Sequence, residues 1–429
     1  MTSLSPELDR TALPARLANL ERLLYAMKVR DIDGLVVNTP LNMFYMTSFN
    51  SIAHKSDEPR PYAFVLSRHS PNNPVVVIAD YYLATFLQQP TWVEDIRPFR
   101  AVMMPVDRDP TPDDIEPFIP QSTRENSNAD NWLAKARTQY HYDQTSAVKS
   151  AISDLGLDGC NVAFDDLGYG LRIGFNSSSI RDAYDPLMFA RSVKSDTELK
   201  LLARSTRLNE LAIHKTVKAW DKGATWRDMN RNYALSVAEL GGFVRDPGGM
   251  VWGHPRGVDT TVTLATGLED DEVKPGTHVM FDCHGTLDLY CWDGGKTWVV
   301  EGEPESSAKK FSDATHRVAE MLVDEMKPGV RISELQTRGR NIYRREGVPD
   351  ADAAIIFFHG LGLSHMDIEI RCADGTPNID WQLEENMVVP VHLLYPGHEY
   401  ERIWLEDVIH VTAEGGVPMF SWGFDPLIR

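Results

Sequence analysis

Apolar positions in the first 190 residues alternate between helical spacing and short uninterrupted runs. Leucines and a methionine recur at helical spacing over residues 13–30, which predicts an amphipathic helix. Apolar runs bounded by turn residues predict strands at 34–38, 62–66, 75–79 and 162–165. Residues 107–131 are rich in Pro, Asp, Asn and Ser and predict a long surface excursion. The alternation of helices and strands predicts an α/β domain over residues 1–190.

Helical patterns open the second half of the chain. Ser195 and Glu198 form a Ser-x-x-Glu pattern, which predicts a capping box at the start of a long helix. Further helices are predicted at 226–240, 307–326 and 332–346, and Lys327-Pro-Gly-Val ends the one at 307–326. A boundary close to residue 190 therefore predicts a second domain over residues 191–429.

Six side chains that can bind a metal ion lie in or beside short apolar runs, or in Gly-rich turns, of this second domain. They are Asp282, His284, Asp293, His359, His392 and Glu406. Such groups are costly inside apolar strands unless they are paired or bound to a cation, so several together indicate a shared metal. Asp282 and His284 are two residues apart on a predicted strand, which would place both on one face. A hydrogen-bonded Asp–His pair without metal is the alternative.

The mixture of ligand types bears on which metal is expected. Imidazole and carboxylate together favour Fe, Mn, Zn or Ni over Mg or Ca. The site could hold one or two ions, and histidines in place of carboxylates favour one, because two dications require more negative charge.

Charge and composition limit the possible partners. The formal net charge of −19 disfavours nucleic acid and anionic membranes, and no apolar stretch is long enough to cross a bilayer. The four cysteines form no CxxC pair, and the N-terminus has no basic and apolar leader. These features predict a cytoplasmic protein that acts on a small molecule.

Several motifs resemble the pita-bread superfamily of methionine aminopeptidase, aminopeptidase P, prolidase and creatinase. Lys194-Ser-x-x-Glu-Leu resembles the entry to its catalytic domain, and Asp282 and Asp293 keep its eleven-residue spacing. His359-Gly-Leu-Gly-Leu and Leu405-Glu-Asp-Val resemble its later metal-ligand motifs. The resemblance implies a creatinase-like N-terminal α/β domain (1–190), a pita-bread catalytic domain (191–429) and a homodimer, which the ten tryptophans also favour.

Other positions depart from the peptidases. His392 stands where they have a glutamate followed by proline, and Gly294-Gly-Lys-Thr replaces Ile-Thr-Arg-Thr. His284 is an additional ligand type, and His365 follows His359 by six residues and not seven. In these respects the chain is similar to the dimethylsulfoniopropionate lyase branch, in which the two corresponding positions are a metal ligand and a catalytic acidic residue.

The resemblance to this branch implies a metal-dependent lyase that cleaves a small organic substrate by base-assisted elimination. The metal would act as a Lewis acid and His365 or Asp367 as the base, with the Tyr290 phenol near the metal. The alternatives for His365 are a metal ligand or an ordinary polar core residue. Asp367 could instead orient His365 or be a solvated loop acid, and the alternative for Tyr290 is strand packing. The alternative function is an aminopeptidase P or prolidase type of hydrolase, and a third is a creatinase-like or non-catalytic protein without metal. His254 resembles a substrate-side histidine of the peptidases.

Overall fold

Contacts within the chain group its residues into two units. The computed structural model describes residues 8–51, 53, 60–101, 108–109, 111–125, 129–245, 251–253, 262, 267–304, 306–367, 378–395 and 402–428. One unit spans residues 12–190, and the other combines residues 191–429 with the described residues 8–11. Leu8 is buried in the same apolar core as Trp226 and Phe281.

The first unit is built on a six-stranded mixed sheet in the order β4-β3-β2-β1-β5-β6. Its strands are β1 (Gly34–Val37), β2 (Tyr62–Ser67), β3 (Val75–Ala79), β4 (Asp95–Phe99), β5 (Val162–Phe164) and β6 (Ile180–Asp182). Every residue of β1, β2 and β3 is buried, so both faces of the sheet are covered in its centre. Strands that are buried on both faces require continuous apolar sequence, so these runs could be predicted as strands.

The helices of the first unit connect these strands. They are α1 (Leu20–Val29), α2 (Pro40–Thr47), α3 (Asp80–Leu87), α4 (Gln121–Arg124), α5 (Ala129–Thr138), α6 (Gln144–Asp154), α7 (Leu167–Arg172) and α8 (Tyr184–Ser192), which leads into the second unit. The first of them starts later than predicted, because the side chain of Asn19 caps it by accepting from the Arg22 amide. The predicted excursion contains a 3-10 helix at Pro112–Phe118 as well as α4.

Four helices of the second unit follow the predicted pattern closely. They are α9 (Asp196–Lys218), α10 (Trp226–Glu239), α11 (Ser306–Glu325) and α12 (Ile332–Arg345). The capping box at the start of α9 is confirmed: Ser195 Oγ accepts from the Glu198 amide, and Glu198 Oε2 accepts from the Ser195 amide at 2.8 Å.

Two sheets complete the second unit. Its strands are β7 (Phe243–Val244), β8 (Val251–Gly253), β9 (His278–Phe281), β10 (Gly285–Leu287), β11 (Tyr290–Trp292), β12 (Gly295–Val299), β13 (Ile355–Phe358), β14 (Val388–Tyr395), β15 (Ile403–Val411) and β16 (Gly416–Pro418). The larger sheet has the order β13-β14-β15-β12-β9-β8, with β16 paired to β15, and the smaller has the order β11-β10-β7. The predicted α/β class is confirmed. In the described part of the chain, no helix is both long and apolar enough to cross a membrane.

Candidate metal centre

A row of cross-strand partners brings several ligand-type residues to one place in the larger sheet. His392 of β14 pairs with Glu406 of β15, and Glu406 pairs in turn with Gly295 of β12. Directly opposed residues point to the same face of a sheet, so His392 and Glu406 project together. A Cβ added to Gly295 would clash with the backbone oxygen of Phe281, and one added to Gly294 would lie 2.7 Å from the backbone oxygen of Glu406, so the chain passes too close to its neighbours here for a larger residue.

Loops at the strand ends bring further ligands to this row. Asp293 follows β11 and His359 follows β13, and both are buried. Ligand atoms of Asp293, His359, His392 and Glu406 all lie within 4.8 Å of one another. His392 Nε2 lies 2.9 Å from His359 Nε2 and 2.9 Å from Glu406 Oε1. Two carboxylates and two imidazoles therefore converge on one small volume.

The predicted strand through Asp282 and His284 is not observed. Strand β9 ends at Phe281, and residues 282–284 connect it to β10 without strand geometry. His284 still reaches the cluster, since its ligand atom lies within 4.8 Å of those of Asp293 and His365. Burial and the nearby Asp293 raise the pKa of Asp282, which agrees with a position beside the same carboxylate. The chain leaves the sheet here, so strand alternation does not explain their shared direction.

The electrostatics of this cluster fit a bound cation. Burial and the carboxylates of Asp293 and Asp282 raise the pKa of Glu406 far above its usual range. Burial and Asp293 raise the pKa of Asp282 to about 7, while burial lowers the pKa of His392 to about 3. Like charges in a buried site cannot all ionise without compensation. A divalent ion would supply it.

The hydrogen bonding at Glu406 supports the same fit. Both of its carboxylate oxygens are buried and accept no hydrogen bond from the described residues, although His392 Nε2 is 2.9 Å away. Buried carboxylate oxygens without donors are costly. Ligands about 2.0–2.2 Å from one ion approach each other closely without hydrogen bonding. The residues present therefore fit a transition-metal ion held by nitrogen and oxygen.

His365 lies at the rim of the cluster. Its Nε2 is 2.6 Å from Asp293 Oδ2, its ring stacks on His284 at 4.9 Å, and its side chain is 42% exposed. The contact with Asp293 raises the pKa of His365. In spite of burial, the imidazoles of His359 and His365 lower the pKa of Asp293. His365 is thus the predicted base that both touches a ligand and reaches solvent.

Asp367 has surroundings different from those expected of a base. Its carboxylate is buried between two cations, with Oδ1 2.5 Å from Arg191 Nη2 and Oδ2 3.1 Å from Lys194 Nζ. Arg191 also donates to Ser364 Oγ at 2.7 Å. These bonds fix the turn that carries His365, so Asp367 holds this turn in place.

Tyr290 is likewise placed in a structural contact. It is fully buried, and its hydroxyl donates to Glu198 Oε1 at 3.0 Å. The Glu198 carboxylate that accepts this hydrogen bond is also part of the capping box of α9, so Tyr290 joins β11 to that helix. Arg191 and Lys194 are the residues that the sequence analysis did not identify, because their partner lies far away in sequence. His254 falls outside the described residues.

Comparison with known proteins places this geometry among peptidases. Residues 200–413, about half of the chain, match the model of metallopeptidase family M24. The Bacillus subtilis protein named "Putative dipeptidase YkvY" is 26% identical over 245 residues, which cover 56% of this chain and 63% of that protein. The chain thus spans less than two thirds of that relative's length.

Solved structures show the same fold over nearly the whole chain. An Xaa-Pro dipeptidase from Bacillus anthracis superposes with a TM-score of 0.65 at 17% identity, over 96% of this chain and 99% of that one. A dipeptidase from Pyrococcus horikoshii gives a TM-score of 0.66 at 15% identity, over the same shares. These neighbours confirm the pita-bread fold that the sequence motifs implied.

The predicted metal-dependent lyase is wrong. The relatives and the solved structures are described as peptidases, the class that the sequence analysis held as its alternative. The findings support the pita-bread superfamily and do not show the dimethylsulfoniopropionate lyase branch. The residues on which that branch was predicted are therefore departures within the M24 family.

Proposed function

Because residues 200–413 belong to metallopeptidase family M24, we propose that the chain is a metal-dependent peptidase that hydrolyses dipeptides. Xaa-Pro dipeptides are the first candidates, since a structural neighbour over 96% of the chain is an Xaa-Pro dipeptidase. The observation that carries the proposal is the buried group of Asp293, His359, His392 and Glu406, with ligand atoms within 4.8 Å of one another.

Each residue of the cluster has a role in this proposal. Asp293, His359, His392 and Glu406 hold the metal, and Asp282 and His284 complete its surroundings. A bound divalent ion supplies Lewis acidity toward the amide carbonyl and makes water a stronger nucleophile. His365, half-exposed and 2.6 Å from Asp293, carries protons between the reacting groups and solvent.

The histidine at position 392 bears on the number of ions. An imidazole there contributes no negative charge, so the cluster holds the three carboxylates of Asp282, Asp293 and Glu406. Two dications would exceed that charge. We therefore propose a single ion drawn from Fe, Mn, Zn or Ni.

Metal analysis combined with hydrolysis assays tests the proposal. Untagged protein is analysed for bound metal, then reconstituted separately with each of the four metals and assayed for free amino acids from Leu-Pro, Gly-Pro, Ala-Leu and Ala-Gly. Release that requires metal and stops with a chelator supports a metallopeptidase. Full metal loading without hydrolysis of any dipeptide contradicts it.

Assembly and location are further parts of the proposal. We propose a homodimer in the cytoplasm, on the basis of the family resemblance and of the cysteines, which form no CxxC pair. Sedimentation velocity over a range of concentrations tests the dimer, and a monomer at every concentration contradicts it.

A further inference from the structure

The cross-strand row that holds the ligands ends at an exposed aromatic ring. Phe357 of β13 is the register partner of His392, which pairs with Glu406 in the next strand. The three side chains therefore project from the same face of the sheet. Strand β13 lies at the end of the strand order, so Phe357 stands at the edge of the site.

The ring of Phe357 contacts two of the four clustered ligands. Its centroid is 5.2 Å from the ring of His392 and 5.7 Å from the ring of His359. Trp404 contacts His392 from elsewhere at 5.3 Å but is only 6% exposed, so its ring is enclosed by protein. Phe357 is 42% exposed and can accept an additional apolar contact.

The same strand provides a comparison for this exposure. Ile355 is 44% exposed and lies two residues earlier on the same face, whereas Ile356 and Phe358 point into the apolar core. The register partner of Ile355 is Leu394, which is not one of the clustered ligands. A single exposed apolar residue is common on protein surfaces. What distinguishes Phe357 from Ile355 is its contact with the metal-ligand rings.

On these observations, and resting on the proposed peptidase function, we propose that Phe357 determines substrate specificity. Its ring packs against the side chain of the residue next to the scissile amide and selects an apolar one. A scissile amide that lies beside the rings of His359 and His392 would bring its flanking side chain to this ring. An apolar side chain there removes exposed area of the phenyl ring from water, which a glycine cannot do.

A pair of variants on one strand tests the proposal. Wild-type, Phe357→Ala and Ile355→Ala proteins, loaded with the same metal, are assayed on Leu-Pro against Gly-Pro and on Ala-Leu against Ala-Gly. We expect the wild type to favour the leucine member of at least one pair by about tenfold in kcat/KM. Phe357→Ala should bring that ratio close to one, mainly through KM, and Ile355→Ala should leave it unchanged.

The inference would be overturned if Phe357→Ala and Ile355→Ala had the same leucine-to-glycine ratio of kcat/KM. A wild type that does not prefer the leucine member of either pair would also overturn it. Calorimetry tests the specificity contact separately from the proposed peptidase function. It measures the binding of Leu-Pro and Gly-Pro to chelator-treated protein. If no dipeptide is hydrolysed but Leu-Pro binds more tightly than Gly-Pro and loses this advantage only in Phe357→Ala, the peptidase proposal fails and the specificity contact stands. If neither dipeptide binds and none is hydrolysed, both fail.

Discussion

Asp367 and Lys194 form a buried ion pair although 173 residues separate them in sequence, with Oδ2 3.1 Å from Nζ. Arg191 contacts the other oxygen of the same carboxylate at 2.5 Å. The Asp367 carboxylate thus contacts two buried cations, and it lies two residues after His365. The pair ties the start of the second unit to the turn that carries this histidine.

Replacing this carboxylate should be strongly destabilising. Asp367→Asn leaves Arg191 and Lys194 buried without their anion, and we expect a loss of about 3–5 kcal/mol in the free energy of unfolding. Urea denaturation measures it. Asp270→Asn, which breaks an exposed pair with Arg227, is the control and should leave the midpoint unchanged. An Asp367→Asn protein with normal stability and no turnover would restore Asp367 as a candidate base.

Tyr290→Phe should destabilise the protein in a manner that depends on pH. Burial raises the pKa of Glu198, and the Tyr290 hydroxyl favours the ionised form of that carboxyl. Below the ordinary value of 4.5, Glu198 is protonated in both states and the lost bond matters least. As the pH rises through the raised folded-state pKa, the ionised carboxylate lacks its donor, and the loss should grow to about 1–3 kcal/mol.

Urea denaturation at about pH 4, below the ordinary value of 4.5, and at about pH 8 measures whether the loss grows as the pH rises. Tyr343→Phe is the matched control, since its buried hydroxyl bonds to the neutral Thr315 at 3.1 Å. That variant should lose stability equally at both pH values. Loss of turnover in Tyr290→Phe without any loss of stability would instead favour a catalytic phenol.

Asp293→Ala and His392→Ala should each lose bound metal. Either change removes one of four converging ligands, and the remaining groups lie in a buried site where they hold a cation only as a set. Metal content after dialysis against buffer, measured by mass spectrometry, should fall by at least about tenfold. His410→Ala is the control, because His410 lies on the strand of Glu406 but contacts Asn386. Normal metal content in Asp293→Ala would refute the site.

His365→Ala should retain metal and lose turnover. The side chain is 42% exposed at the rim, so its loss leaves Asp293, His359, His392 and Glu406 in place. Removing a group that transfers protons should lower kcat by about 100-fold to 10,000-fold. Metal analysis checks that the variant retains its metal, and kinetics on the same preparation check the fall in kcat. Loss of metal in this variant would identify His365 as a ligand.

The sequence predicted the elements whose signals are local. The capping residues Ser195 and Glu198 are three apart, and α9 starts where they indicate. His392 and Glu406 could be predicted as ligands because each interrupts an apolar strand, and the structure brings them together. The strand through Asp282 was predicted wrongly, since an apolar run does not reveal where sheet pairing ends.

Contacts between residues that are far apart in sequence explain the other differences between the sequence predictions and the structure. The sequence left open whether Asp367 acts as a base or orients His365, because nothing near it in sequence shows that Arg191 and Lys194 surround it. Tyr290 was expected near the metal because Asp293 is close in sequence, whereas its hydroxyl meets Glu198, 92 residues away. A side chain's direction within the core depends on tertiary packing, which motif spacing does not record.

The cross-strand row from Phe357 to Gly295 implies that the metal site forms only after distant strands have paired. Its members come from β12, β13, β14 and β15, so residues from 295 to 406 must pair before the ligands meet. Contacts of such sequence separation form slowly, because the entropy of loop closure opposes them. The unfolded chain therefore has no prepared site, and an ion that binds only the native arrangement stabilises the whole sheet by mass action. Metal supply during synthesis would then influence how much of the protein survives, as well as how active it is.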